Sequence, residues 1–209
     1  MTANLTGRTI DAVVFDIGGV LLDWSPTYLY AELIPDEEQR SHFLTNVVSP
    51  AWNHKQDEGR PWAEAIEELT SLHPEHAEWI AAYDNGWLKM IKGVFADTAE
   101  VLTEVQALGL PTYALTNFSG DKWEVAKEAF PILTRFDGEV VSGVEQTAKP
   151  GEKIYRILID RFGLDPARTF YTDDMQYNVD GARAVGLDAE LFTGAAELRT
   201  QLRARGLAV

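Results

Sequence analysis

Apolar residues along this chain follow two rhythms. An unbroken run, Ala12-Val13-Val14-Phe15, ends on Asp16 and leads through Ile17 into the pair Gly18-Gly19. Four apolar residues in succession predict a short strand buried on both faces, and the glycines release the chain into a sharp turn beyond it. From Pro26 to about Lys92 the spacing becomes helical. Helices are predicted over residues 28–34, 37–47, 62–72 and 75–90, with breaks at Pro35, Pro50, Gly59 and Pro74 and no strand among them. Residues 52–60 read as a Gly-containing loop between two of these helices. From Asp97 onward short apolar runs alternate with amphipathic segments: a helix to Leu108, a strand 112–116, a helix 122–130, a strand 138–142 and a helix 153–162. The alternation continues with a strand 169–172, a helix 178–185, a strand 189–192 and a helix 195–205.

Such alternation predicts right-handed crossovers, so the fold class is α/β, a doubly wound parallel sheet with helices on both faces. The helical block then reads as an insertion. Residues 1–22 and 93–209 are expected to form a Rossmann-like core, and residues 23–92 an all-helical second unit.

The polar residues gain meaning from this frame, because open α/β sheets bind ligands at the C-terminal ends of their strands. Asp16 ends the first predicted strand, and Thr116-Asn117 end the second. Lys149 precedes Pro150-Gly151 and a helix, where free backbone N–H groups also favour anions. The strand ending at Thr172 runs into Asp173-Asp174, with Asn178 and Asp180 close behind. Each of these alone is an ordinary turn, helix cap or surface charge. Together they supply a carboxylate nucleophile, neutral hydrogen-bond donors, an ammonium and hard oxygen ligands for Mg²⁺. Phosphoryl transfer uses that set, because its transition state spreads negative charge over several oxygens.

Composition narrows the partners. At 209 residues and 45% hydrophobic, the chain can bury a substantial core, and its net charge of -15 argues against nucleic acid and anionic membrane surfaces. With no cysteine there is no disulfide, no thiolate zinc site and no cysteine nucleophile. The stretch Met-Thr-Ala-Asn-Leu-Thr-Gly-Arg lacks an apolar run of signal length, and no segment nears the roughly 18 apolar residues of a membrane span. The expectation is a cytoplasmic protein with a small phosphorylated molecule as its partner; a homodimer is compatible with the pattern.

The ordered set Phe-Asp-Ile-Gly-Gly-Val (15–20), Leu-Thr-Asn (115–117), Lys-Pro (149–150) and Tyr-Thr-Asp-Asp-Met-Gln-Tyr-Asn-Val-Asp-Gly-Ala-Arg (171–183) resembles the four motifs of the haloacid dehalogenase superfamily. The resemblance spans nearly the whole chain, since the helical block falls where that family inserts its cap. It is nearest to the branch of sugar-1-phosphate phosphatases and the phosphatase domain of soluble epoxide hydrolases. By resemblance, Asp16 attacks phosphorus to form an aspartyl-phosphate, Thr116 with Asn117, Gly18 and Gly19 cradles the phosphate, and Lys149 clamps nucleophile to phosphate. Asp174 and Asp173, with Asp16 and the Gly18 carbonyl, would hold Mg²⁺. The implied activity is hydrolysis of a phosphorylated metabolite, a sugar phosphate being the expected class.

One departure stands out. Phosphatases of this family commonly carry a second aspartate two residues after the nucleophile, where it acts as general acid and base, and this chain has Gly18 there. General acid-base catalysis contributes about 10² to 10⁴ in rate, on the order of 3 to 5 kcal/mol of barrier. The gap implies slow turnover, a substrate whose leaving group needs little protonation, or an acid supplied by the cap. The stretch 52–60 supplies two candidates: His54, and Glu58, which with Gly59 resembles a cap loop of that branch. Trp62, Trp79 and Trp87 read as cap core, and His42, His73 and His76 as scattered. Two other readings remain. Metal-independent dehalogenation of a 2-haloacid has no use for the acidic pair Asp173-Asp174, and a catalytically silent binding protein has no need of the retained nucleophile and lysine.

Overall fold

The side chains of β1 (Ala12–Phe15) alternate between two cores: Val13 and Phe15 enter one, Val14 the other. A strand that is buried on both faces requires cover on both faces, and the rest of the chain provides it. The computed structural model describes residues 9–209; residues 1–8, which hold the N-terminal stretch read for a leader and the start of the expected core, lie outside the described residues. After β1 come β2 (Leu22–Trp24) and β3 (Ile91–Val94), paired antiparallel. The five-stranded parallel sheet is completed by β4 (Thr112–Thr116), β5 (Gly138–Val141), β6 (Thr169–Asp173) and β7 (Asp188–Leu191), in the order β5-β4-β1-β6-β7. The chain winds outward from β1 to β5, returns to β6 on the other side of β1, and ends at β7. Successive strand order therefore reverses between β1 and β6, the place where such sheets leave a crevice for ligands.

Between β2 and β3 lie α1 (Pro26–Leu33), α2 (Glu37–Asn46), α3 (Pro50–Asp57), α4 (Trp62–Leu72) and α5 (Ala77–Asn85). The sheet is flanked by α6 (Ala96–Ala107), α7 (Gly120–Ala129), the short α8 (Ser142–Glu145), α9 (Glu152–Phe162), α10 (Gln176–Ala184) and α11 (Ala195–Ala204). Ile154, Tyr155 and Leu158 of α9 and Val179 and Ala182 of α10 pack on Val14, Leu115, Val140 and Tyr171. The opposite core joins Val101 and Leu102 of α6 and Leu198 and Leu202 of α11 to Phe15, Ala114 and Phe170, and runs on into the helical block. There, Tyr30, Phe43, Trp52, Trp62 and Tyr83 are buried together; Trp62 stacks on Tyr83 at 5.8 Å and Trp52 meets Tyr83 edge-on at 5.2 Å. Trp62 and Trp87 are buried and Trp79 packs partly buried against the same cluster.

Three expectations are corrected. Residues 22–24 and 91–94 form a ribbon where only helix or connection was expected, because the two ends of the insertion must run side by side to leave and rejoin the core. Residues 50–57 are helix rather than loop: the Ser49 hydroxyl accepts the Trp52 N–H at 3.2 Å and Pro50 occupies the first turn, a strong helix start. The helix expected over 75–90 is divided into a short turn, α5 and a second turn after Gly86, where a Cβ would lie 2.9 Å from the Ala82 carbonyl and crowd Leu29. No helix among the described residues is long and apolar enough to cross a membrane.

Candidate active site

Parallel register brings three strand ends to one rim. Phe15 pairs with both Ala114 and Thr172, so Asp16, Thr116 and Asp173 emerge at neighbouring positions on the same edge of the sheet. Asp16 is fixed by its own neighbours. Its Oδ1 accepts the Ile17 N–H at 2.7 Å and the Lys149 ammonium at 2.8 Å, while Oδ2 has no hydrogen-bond partner among the described residues, and Asp16 lines the cavity.

Lys149 is fully buried between two acids. Its Nζ lies 2.8 Å from Asp16 and 2.7 Å from Asp173, and donates a third bond to the Leu115 carbonyl at 3.1 Å. The three donors of an ammonium are thereby used in three directions. Asn117 sets the lysine from behind: its amide donates to the Lys149 carbonyl at 3.0 Å and accepts the Lys149 N–H at 2.8 Å. The Asn117 side chain thus positions Lys149, although it also borders the cavity.

Asp173 is saturated. One oxygen accepts the Met175 N–H at 2.8 Å and the Asn178 amide at 3.0 Å; the other accepts Lys149 at 2.7 Å, Asn178 at 3.1 Å and the Tyr171 hydroxyl. Asp174 has no side-chain partner among the described residues and turns toward Gly19. Gly19 has φ +75, which favours glycine, and a Cβ there would sit 2.3 Å from Asp174 Oδ2, so any side chain would displace the Asp174 carboxylate. Asp180, by contrast, is exposed and bonded to Gln176.

The electrostatics follow from this packing. Burial, reinforced by Asp173, pushes the Asp16 carboxyl well above its ordinary value against the pull of Lys149. Asp174 is raised for the same two reasons. For Asp173 burial also opposes ionisation, but Lys149 and the hydrogen bonds from Lys149, Tyr171 and Met175 outweigh it and hold the acid low. Burial works against the Lys149 ammonium, yet Asp16 and Asp173 keep it charged. Carboxylate oxygens of Asp16, Asp173 and Asp174 lie within 4.8 Å of one another. With one ammonium among three acids, the site carries excess negative charge and exposes hard oxygen donors on Asp16 and Asp174. That donor set fits a small divalent cation such as Mg²⁺.

Above the carboxylates lies a cavity of about 460 Å³. Its floor includes Asp16, Gly18, Gly19, Thr116, Lys149 and Asp174, and the Thr116 hydroxyl has no partner among the described residues. Its wall is largely apolar: Trp24, Leu44, Val48, Pro50 and Tyr83, with Met175 and Tyr177 at the exposed mouth. Two polar side chains interrupt the wall, Asn53 and Asp57 of α3. His54 and Glu58 do not line it. They lie on the adjacent stripe of the helix, 45% and 50% exposed and 3.8 Å from each other. Reading 52–60 as a loop concealed which side chains share a face; Ser49-Pro50 was the available signal, and helical spacing from Pro50 places Asn53 and Asp57 together one turn apart. Tyr171 and Asn178, which hold Asp173, carried no signal beyond their nearness to the acidic pair.

Comparison with known proteins bears on the family and the fold. Over 182 residues the chain is 25% identical to a sesquiterpene phosphatase of Aspergillus oryzae, covering 86% of this chain and 88% of that protein. A HAD-family enzyme of Bacteroides thetaiotaomicron, solved with magnesium and inorganic phosphate, has a TM-score of 0.68 at 19% identity over 87% of this chain and 93% of its own. The L-2-haloacid dehalogenase of Xanthobacter autotrophicus has a TM-score of 0.61 at 22% identity over 86% and 76%. At such identities the two solved structures establish a common fold. Residues 10–186 match the model of haloacid dehalogenase-like hydrolases, and the chain belongs to that hydrolase family.

Proposed function

We propose that this hydrolase is a Mg²⁺-dependent phosphatase of a small phosphorylated metabolite, working through an aspartyl-phosphate on Asp16. The observation that carries the reading is the buried Lys149 ammonium between Asp16 and Asp173, with Asp174 free beside them. Asp16 Oδ2 is the attacking oxygen, since Oδ1 is held by the Ile17 N–H and Lys149. Lys149 fixes the nucleophile's orientation and places positive charge where the transferring PO₃ unit accumulates negative charge. The unpartnered Thr116 hydroxyl and the backbone around Gly18 and Gly19 offer further donors to phosphate oxygens. Asp16, Asp174 and the Gly18 carbonyl would hold Mg²⁺, whose chemistry there is to offset charge on the phosphate and the acids. Asp173, with every lone-pair direction used, orients Lys149 rather than binding freely.

The wall bears on the organic part of the substrate. A sugar phosphate needs partners for several hydroxyls, whereas Trp24, Leu44, Val48, Pro50 and Tyr83 offer mainly apolar surface. This favours an ester of phosphate with an apolar group over the sugar phosphate that the resemblance implied, and the sesquiterpene phosphatase relative points the same way. The test is phosphate release from prenyl, alkyl, aryl, sugar and acyl phosphates, with Mg²⁺ and with chelator, using Asp16→Asn as the blank. Release that needs both Mg²⁺ and Asp16 is expected, fastest with the apolar esters. Halide release from a 2-haloacid that persists in chelator, without phosphate release, would replace this reading with the dehalogenase one.

A further inference from the structure

The position two residues after the nucleophile is vacant rather than blocked. A Cβ built on Gly18 would meet no atom within 4 Å, and Gly18 is not among the glycines with positive φ. Neither the space at Cβ nor the backbone conformation requires glycine there, and the missing carboxylate calls for another source of the proton.

Asp57 stands across the same cavity. Asn53 and Asp57 of α3 both line it, and the Asn53 amide donates to Asp57 Oδ2 at 3.0 Å, leaving Oδ1 without a partner among the described residues. The end of α3 is also tied to the core. The Ser142 hydroxyl donates to the Asp57 carbonyl and accepts the Phe118 N–H at 2.8 Å, two residues beyond Thr116. Just beyond, a Cβ on Gly59 would lie 2.9 Å from the Gly143 carbonyl, so the two backbones meet without intervening side chains. The cap acid is therefore registered against the same loops that build the phosphate floor.

From this placement we infer that Asp57 is the general acid and base of the hydrolysis, supplied by the cap in place of the residue missing at Gly18. The inference rests on the phosphatase reading. In the first step Asp16 Oδ2 forms a bond to phosphorus, the P–O ester bond breaks, and its electron pair leaves with the organic oxygen. The Asp57 carboxyl gives that oxygen its proton, releasing the alcohol and leaving Asp57 as carboxylate. In the second step water adds to the aspartyl-phosphate, Asp57 takes the water's proton, and the electron pair of the breaking P–O bond returns to Asp16. Phosphate leaves and Asp57 is protonated again.

The acid's environment suits both halves. Burial, opposed by Lys149 and aided by Glu58, pushes the Asp57 carboxyl up to about 7, near the value at which one group both donates and accepts efficiently at neutral pH. The charged and titratable groups around it are Lys149, Asp16 and Asp174 on the floor, Tyr83 of α5, Glu58 on its own helix, and Lys122 of α7, whose ammonium is paired with Asp84.

Asp57→Asn tests the assignment, because an amide can keep the bond from Asn53 but cannot exchange the proton. It is compared with wild type on an alkyl phosphate and on 4-nitrophenyl phosphate, whose leaving oxygen needs little protonation. The expected loss in kcat is about 10² to 10³ with the alkyl ester and far smaller in the first step with the aryl ester. The fall of kcat/KM through about pH 7 should vanish in the variant, and Gly18→Asp placed on the Asp57→Asn background should recover part of the alkyl-ester rate. Equal losses on both esters with an unchanged pH profile would overturn the assignment, and so would a wild-type alkyl-ester profile with no fall near pH 7. Persistence of Asp16-dependent phosphate release in those cases leaves the phosphatase reading standing; its absence in wild type removes both.

Discussion

The floor and the wall of the cavity are held by different means. On the floor, Asp173 receives five hydrogen bonds and Lys149 touches three oxygens; Asp16 and Asp173 project from strand ends whose register the sheet dictates, and Lys149 reaches them from the loop before α9. On the wall, Asp57 has one side-chain partner, and its place depends on how α3 rolls and docks against the core. A group that is over-determined resists perturbation until a partner is lost; a group with one anchor remains free to change protonation. The floor thus supplies fixed charge and the wall supplies a movable proton.

Lys149→Met should break this contrast most severely. Removing the ammonium leaves Asp16 and Asp173 buried without compensation, at a cost of about 3–5 kcal/mol, read as a shift in urea midpoint together with loss of phosphate release. A loss near 1 kcal/mol, as for an exposed pair, would mean the floor is not over-determined. Asp57→Asn should have the next largest effect, and in the opposite direction. The folded chain keeps a proton on Asp57 up to about pH 7 that an ordinary carboxyl loses near 3.8. Wild-type stability contributed by this group therefore declines as pH rises between those values, and the amide variant escapes the decline. Above pH 7 it should be the more stable protein by on the order of 2–4 kcal/mol, measured as the difference between melts at pH 5 and pH 8.

Gly19→Ala sharpens the floor alone. The added methyl collides with Asp174 at a positive φ, so calorimetric titration should show Mg²⁺ affinity weakened by about 10- to 100-fold, while folding falls by about 1–2 kcal/mol. Glu58→Gln has the smallest expected effect. Its carboxylate is half exposed and turned from the cavity, so stability and kcat should stay within about 0.5 kcal/mol of wild type; a large loss in kcat would show that α3 is turned differently in solution.

The same division explains what could be read from the chain. Asp16, Thr116 and Asp173-Asp174 could be placed together because a parallel strand delivers its last residue to a known edge, whatever packs elsewhere, and Lys149 could be added from its place at a loop-to-helix junction on the same side of the alternating pattern. Gly19 was legible as a ligand-facing glycine, though its clearance from Asp174 emerged only with β1 and β6 side by side. Residues 52–60 point to His54 and Glu58 rather than to Asp57, since which stripe of a helix faces a cavity is settled by docking and not by local propensity. The β2–β3 ribbon was invisible for a related reason: three and four residues with little alternation become strands only when their partner is brought alongside.

The Ser142 hydroxyl joins the cap acid's carbonyl to the backbone that follows the phosphate cradle. A displacement of α3 from the core would part these atoms, and the cap acid would withdraw from a floor whose nucleophile, lysine and acids are held by the sheet and its loops. A single hydroxyl thereby couples the docking of the cap to the proton route proposed for Asp57, so weakening that dock is equivalent to removing the acid.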